Sequence, residues 1–159
     1  MSASTRNQIE LARDICIYAH AGQVDKAMCP YHIHPEYVSD HVDGEVEKVV
    51  ALLHDVLEDT GFPASVLEEL FGQEVFEALC LLRHEPNTEY MEYIRRLSCN
   101  PIARAVKIAD LEHNMQLNRL QSVDEDDLRR VAKYKAALSV LQEVKRSADI
   151  AKGIADIIP

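Results

Sequence analysis

Val49-Val50-Ala51-Leu52-Leu53-His54-Asp55-Val56-Leu57-Glu58-Asp59 is the stretch whose reading decides the fold. Glu45 to Leu57 reads as a strongly apolar helix that runs into a polar end, His54 to Asp59. Helix geometry makes that end coherent. His54 and Glu58 are four residues apart, Asp55 and Glu58 three, Asp55 and Asp59 four, so the side chains occupy neighbouring positions on one helix surface. Four ionisable groups emerge together, three of them acidic, and their mutual repulsion is unfavourable unless a cation sits among them.

Working outward, the periodicity is helical nearly throughout. Residues 5–21 carry Ile9, Ala12, Ile15, Cys16 and Ala19 at the three- and four-residue spacing of a buried helix face. A polar loop follows, Gly22 to His34, and Pro35 suits the first turn of a new helix. Beyond the polar end Gly61 breaks the chain, and Pro63 begins a short helix through Leu67, Leu70 and Phe71 that Gly72 terminates. Further helices are expected over 73–84, 88–98, 101–120 and 124–147, with Asn100-Pro101 as a boundary. In the last of these, Leu128, Val131, Tyr134, Leu138 and Leu141 form a core stripe, and the acidic run Asp124 to Asp127 caps its start. No stretch alternates as a strand does. The expected architecture is all-α: a single domain over 1–159, with a motif core at about 10–120 and C-terminal packing helices at about 124–158.

With 159 residues, 47% hydrophobic and 28% charged, the chain is long enough to bury a substantial core unaided. A formal net charge of −10 argues against nucleic-acid binding, which draws on Lys and Arg to neutralise phosphates. An acidic protein that handles a phosphorylated small molecule needs concentrated local positive charge, which a bound metal supplies. No apolar run reads as a signal peptide or a membrane span, so no membrane partner is expected. Cys16, Cys29, Cys80 and Cys99 are scattered and form no C-x-x-C pair; they are expected to be reduced and mostly buried thiols of a cytoplasmic protein.

Two further polar clusters stand out beside His54 to Asp59. One is His34, at the end of the loop and just before Pro35. The other is Lys107, Asp110 and Asn114, which share one helix face at three- and four-residue steps. Imidazole with carboxylate suits Mn²⁺, Fe²⁺, Zn²⁺ or Co²⁺ better than Mg²⁺ or Ca²⁺. Two His and two Asp ligands leave positions open on a five- or six-coordinate ion, as hydrolysis needs.

The order His34, His54-Asp55, Asp110 resembles the H…HD…D pattern of the HD phosphohydrolase superfamily. Ala19-His20-Ala21-Gly22-Gln23-Val24-Asp25-Lys26 and Pro30-Tyr31-His32-Ile33-His34-Pro35 look like the opening of the hydrolase domain of RelA/SpoT-type alarmone enzymes. Ala51 to Thr60 resembles that family's signature, and Phe71-Gly72-Gln73-Glu74-Val75, Val106 to Asp110 and His113-Asn114-Met115 also match. The matches run in family order from about residue 10 to 120, and the length suggests a stand-alone hydrolase. The resemblance implies that His34, His54, Asp55 and Asp110 hold Mn²⁺, or another divalent transition metal. It implies that Glu58 and Asp59 position and deprotonate the attacking water, and that Lys26, Asn114 and Lys107 contact a phosphorylated nucleotide. The family reaction removes the 3′-pyrophosphate of guanosine tetra- or pentaphosphate.

Two positions depart from the pattern. Asp25 stands where the family usually carries an arginine, and Leu111 replaces the arginine after the last metal aspartate; both are expected to remove positive charge from the substrate side. The alternatives are an HD-type 5′-nucleotidase or other phosphomonoesterase, and a non-catalytic nucleotide-binding sensor. His20 reads as a packed, hydrogen-bonded histidine and His32 as a solvent-facing loop residue. Tyr31, Tyr90 and Arg119 are candidates to line a nucleotide pocket, and Arg83-His84 reads as a helix-end dipole partner. The sequence leaves the oligomeric state open.

Overall fold

The computed structural model describes residues 3–120 and 122–156, with side chains from Asn7 onward. The positions expected at the very ends of the single domain, and the last residues of the helix run to 158, lie outside them. Among the described residues eight α-helices follow one another: α1 (Ala3–Ala19), α2 (Ile33–Asp40), α3 (Glu45–Leu53), α4 (Val56–Asp59), α5 (Ala64–Leu82), α6 (Tyr90–Ser98), α7 (Pro101–Asn114) and α8 (Glu125–Ala155), with a 3₁₀ turn at Leu117–Arg119. Among the described residues there is no strand, only an isolated bridge between Val24 and Pro30. The fold is all-α, as the periodicity predicts.

α3 is the centre. It packs on α1, α2, α5 and α7, and Val49 to Leu53 are each no more than 1% exposed. A helix apolar on every side must be covered on every side. Burying its larger side chains contributes on the order of 2 kcal/mol each, which holds the residue that follows, His54, in a rigid frame. The expected single helix 45–57 is interrupted: α3 ends at Leu53, His54 and Asp55 form a turn, and α4 adds one more turn. His54 and Asp55 keep right-handed helical backbone angles, and the Asp59 N–H still donates to the Asp55 carbonyl, so the side-chain directions argued from helix spacing survive the break.

Local signals account for the other boundaries. Gly72 sits at φ 80°, ψ 173°, outside helical geometry, so α5 is two helical pieces that meet at a kink where the sequence places the break. The Asn100 side chain accepts the Ala103 N–H with Pro101 at the first helical position of α7. Asp124 and Asp127 form a reciprocal capping box at α8. No helix among the described residues is long and apolar enough to cross a membrane.

Four expectations need correction. The helix read over 101–120 stops at Asn114, where Arg119 Nη2 donates to the His113 carbonyl and closes the last turn. α8 runs on to Ala155 although its residues beyond Leu141 are largely exposed, so Ala, Lys and Glu propensity extends it past the buried stripe. Leu128 is 56% exposed rather than core, because the first turn of that stripe is centred on Asp127, whose carboxylate turns in to meet Lys26 and Arg130. Of the four free cysteines only Cys16 is buried, where desolvation pushes its thiol up to about 12; Cys29, Cys80 and Cys99 are exposed.

Candidate metal centre

Three elements deliver the polar groups to one point. The first turn of α2 carries His34, the α3–α4 turn carries His54 and Asp55, and the C-terminal half of α7 carries Lys107, Asp110 and Asn114. α7 packs against both α2 and α3, which brings residues far apart in sequence face to face.

His34 Nε2 lies 3.1 Å from Asp110 Oδ1 and 3.7 Å from Asp55 Oδ2. His54 Nε2 lies 3.2 Å from Asp55 Oδ2 and 3.9 Å from Asp110 Oδ1. Ligand bonds of ~2.1 Å separate neighbouring donor atoms by roughly 3.0–3.4 Å and donors on opposite sides of the ion by up to roughly 4.2 Å, so two of these spacings match neighbouring ligands and the two wider ones stay within the reach of a single ion. His34, His54 and Asp110 are buried and their donor atoms fall within 4.8 Å of one another. The His54 ring gives a second indication of fit. Its Nδ1 donates to the Ala51 carbonyl at 2.7 Å, which leaves Nε2 as the ring atom that faces the carboxylates and takes up either a proton or a cation, and Nε2 is buried without a hydrogen-bond partner. The four groups could therefore hold a divalent cation.

The carboxylates are held from behind. Asp110 Oδ2 pairs with Lys107 Nζ at 2.8 Å, and Asn114 Nδ2 donates to Asp110 Oδ1. Tyr31 Oη donates to Asp55 Oδ2 at 2.8 Å. Burial opposes charge on both aspartates, but the facing imidazoles hold Asp55 well below its usual range, and Lys107 and the histidines do the same for Asp110. Burial also works against charge on His54, yet the Asp55 and Asp110 carboxylates outweigh it and raise its pKa to about 9. A proton there plays the part of a cation.

The sign of that shift gives a prediction. A histidine raised from 6.5 stabilises the fold fully below about pH 6.5 and loses that contribution as pH rises through about 9. The melting temperature of metal-stripped protein should fall between pH 6.5 and 9.5, while the rise on adding a divalent cation should be larger at pH 8.5 than at 6.5, since the cation then displaces fewer protons. Calorimetry with and without chelator measures both; an equal metal-induced rise at the two pH values would contradict the site.

A two-lobed cleft opens over this centre. The metal lobe, about 280 Å³, contains His34, His54, Asp55, Asp110, Glu58 and Lys107. The second lobe, about 250 Å³, contains Lys26, Asp25, Arg119 and Arg130. Tyr31, His34, Asn114 and Tyr134 line both. Glu58 accepts the His84 N–H at 3.0 Å; desolvation raises its carboxyl, and the charges of Asp59 and Asp55 push it the same way. Asp59 is exposed and does not line the metal lobe. Lys26, in the second lobe, is turned to Asp127 at 3.0 Å. Of the candidate residues, then, His34, His54, Asp55, Asp110, Glu58, Lys107 and Asn114 share one cavity, while Asp59 and Lys26 lie beside it.

Arg119 lines the second lobe and Tyr90 the metal lobe; Arg83-His84 follows the end of α5, where the sequence places it, and His84 also lines the metal lobe. His20 is 2% exposed, with Nδ1 2.8 Å from Gln23 Oε1, and stays outside the centre. Leu111 is 1% exposed and belongs to the hydrophobic core, so its side chain never faces the substrate side and its change from arginine takes no charge from the cleft. Asp25 does line the cleft, but Oδ1 accepts the Ala27 and Cys29 N–H groups and Oδ2 pairs with Arg119 Nη1 at 3.2 Å. The cation missing from the loop thus enters from the turn after α7. Arg130 and Lys133, which also line the cleft, were not among the candidates; their four- and three-residue spacing to Tyr134 and Arg130 on α8 was the available signal.

No family model matches the chain. The guanosine-3′,5′-bis(diphosphate) 3′-pyrophosphohydrolase of Haemophilus influenzae is 34% identical over 139 residues, 77% of this chain and 20% of that protein. The bifunctional (p)ppGpp synthase/hydrolase SpoT of Escherichia coli is 32% identical over 139 residues, 77% of this chain and 19% of that protein. The chain thus spans about a fifth of the length of these curated relatives. A solved structure of a metazoan ortholog of SpoT that hydrolyzes ppGpp superposes with a TM-score of 0.61 at 23% identity, over 93% of this chain and 97% of that one. That likeness concerns the fold alone, whereas the relatives concern the sequence: over 77% of its length the chain is similar to part of these (p)ppGpp hydrolases, and its helical fold is similar to that of the metazoan SpoT ortholog.

Proposed function

We propose that this chain is a metal-dependent phosphohydrolase of a phosphorylated nucleotide, in its most specific form a 3′-pyrophosphohydrolase of guanosine tetra- or pentaphosphate. The observation that carries the reading is the convergence of His34 Nε2, His54 Nε2, Asp55 Oδ2 and Asp110 Oδ1, 3.1–3.9 Å apart, in a cleft lined by lysines and arginines. These four residues are proposed to hold Mn²⁺. A bound divalent cation supplies Lewis acidity toward the phosphoryl group and makes water easier to deprotonate.

The chain's own groups do the rest. Glu58, at the edge of the metal lobe with a raised pKa, takes the proton of the attacking water. The Asp59 carboxylate keeps Glu58 basic through its charge, which is the role left to it outside the lobe. Lys107 neutralises Asp110 and adds positive charge deep in the lobe. Asn114 stands where the lobes meet and contacts the sugar or phosphates, and Lys26, whose side chain is 59% exposed, swings from Asp127 to the nucleotide. The core running from Ala12 to Leu141 supports one domain over 1–159. The free thiols support a cytoplasmic setting.

One observation favours a second reading, hydrolysis of another phosphorylated nucleotide: Asp25 spends its carboxylate on its own loop and on Arg119, so the second lobe is built differently from an arginine-bearing loop. Both readings meet one experiment. Manganese-loaded protein and a metal-stripped control are incubated with guanosine tetraphosphate and with nucleoside monophosphates, and the products are followed by ³¹P NMR. Manganese-dependent pyrophosphate release is expected. Orthophosphate release alone would move the assignment to a nucleotidase, and no turnover with metal bound to a sensor.

A further inference from the structure

We infer that His113 is a positioning residue which, by accepting a hydrogen bond from the His34 ring, holds that ring with its Nε2 lone pair toward the cation; this rests on the metal-centre reading above. The two Nδ1 atoms, His34 and His113, are 2.6 Å apart and both residues are buried. Two ring nitrogens at that distance share a single hydrogen, because two N–H groups repel and so do two lone pairs. Only one of the two arrangements is compatible with a cation. If His113 donated, the hydrogen of a neutral His34 would sit on Nε2, aimed at Asp110 Oδ1 3.1 Å away and into the space between the four donors. If His34 donates, Nε2 is free to bind.

The other histidine of the centre shows the same requirement met differently. His54 gives its Nδ1 hydrogen to the Ala51 carbonyl, a group that can only accept. His34 has no carbonyl in that position and depends on a second imidazole. That imidazole is fixed in turn. The His113 ring lies nearly coplanar with His34, centroids 4.9 Å apart and planes 10° apart, as an in-plane N–H···N bond requires, and it stacks on Tyr37 at 3.9 Å and 17°. Tyr37 is held by the Gln116 Nε2 donor at 2.8 Å and by the His41 ring at 3.8 Å. Partners that orient metal-binding histidines in this way typically carry ~10–100-fold in metal affinity.

Stacking and hydrogen bonding make opposite predictions for two variants. His113→Phe keeps a ring between Tyr37 and His34 but has no acceptor; His113→Asn loses the ring but can place Oδ1 near the lost Nδ1. Mn²⁺ dissociation constants from chelator competition are expected to rise ~10–100-fold for His113→Phe and to return toward wild type for His113→Asn. The reverse order, or wild-type affinity in His113→Phe, would overturn the inference. Wild-type protein that binds no Mn²⁺ would instead overturn the metal reading itself, and this inference with it. A readout that needs no variant is ¹⁵N NMR of the zinc-loaded wild type: His34 Nδ1 should be protonated, with a scalar coupling across to His113 Nδ1, and a His113 Nδ1 that carries the hydrogen would refute the assignment.

Discussion

Asp110→Asn should leave the protein unable to retain Mn²⁺ and lower kcat/KM for the nucleotide substrate by ~10³-fold or more. The magnitude follows from the Lewis-acid contribution, worth several kcal/mol, at 1.36 kcal/mol per factor of ten. Asparagine keeps the shape and removes the charge. Asp110 is 4% exposed and its two oxygens face His34, His54, Asn114 and Lys107, so no other side chain can take its place. The substitution also strands the Lys107 ammonium, whose side chain is 15% exposed, and breaking a buried pair this way costs ~3 kcal/mol or more of stability. Circular dichroism and the melting temperature therefore accompany the metal analysis, and Lys107→Met added to Asp110→Asn should recover fold stability without recovering metal. A well-folded double variant that still holds one Mn²⁺ per chain and turns over would remove Asp110 from the centre.

The same residues show how far the amino-acid order reaches. Val49 to Leu53 were legible as the central helix because burial on all sides leaves no polar face to misread, and that reading placed His54 and Asp55 at the helix end. The place of Glu58 beside His54 and Asp55 followed from spacing, since the His54–Asp55 turn keeps helical angles, whereas its role came from the resemblance. His34 and Asp110 stood out as polar residues, but joining them in one site needed the resemblance, because nothing local links the first turn of α2 to α7 across 76 residues of chain. Other features were hidden for identifiable reasons. Asp127 looked like an ordinary capping residue and is one, but it also gathers Lys26 and Arg130 beside the second lobe. Arg119 lay in what read as continuous helix, and only the end of α7 at Asn114 lets its guanidinium turn back to Asp25 and the His113 carbonyl. Position 111 was assigned to the substrate side from its place next to Asp110, whereas one residue along a helix is a rotation of about 100° and carries Leu111 into the core.

The second large effect concerns the proton rather than the ion. Glu58→Gln should bind Mn²⁺ with wild-type affinity and lose ~10²–10⁴-fold in kcat, the range a positioned general base supplies. The amide is close to isosteric, can still accept the His84 N–H that Glu58 accepts at 3.0 Å, and leaves the four converging donor atoms untouched. What it cannot do is take a proton. The pH profile carries the argument further. Desolvation and the neighbouring Asp59 and Asp55 carboxylates raise the Glu58 pKa above 4.5, and a base acts only when deprotonated, so wild-type kcat should decline as pH falls through a point above that ordinary value. Asp59→Asn removes one of the raising charges and should move this acid limb downward, with a smaller loss of rate than Glu58→Gln. In Glu58→Gln the limb itself should vanish, because the group that produced it no longer titrates. Metal-saturated Glu58→Gln turning over at the wild-type rate, or keeping the same acid limb, would transfer the proton to another residue; a variant that sheds its metal would make Glu58 a ligand instead of a base.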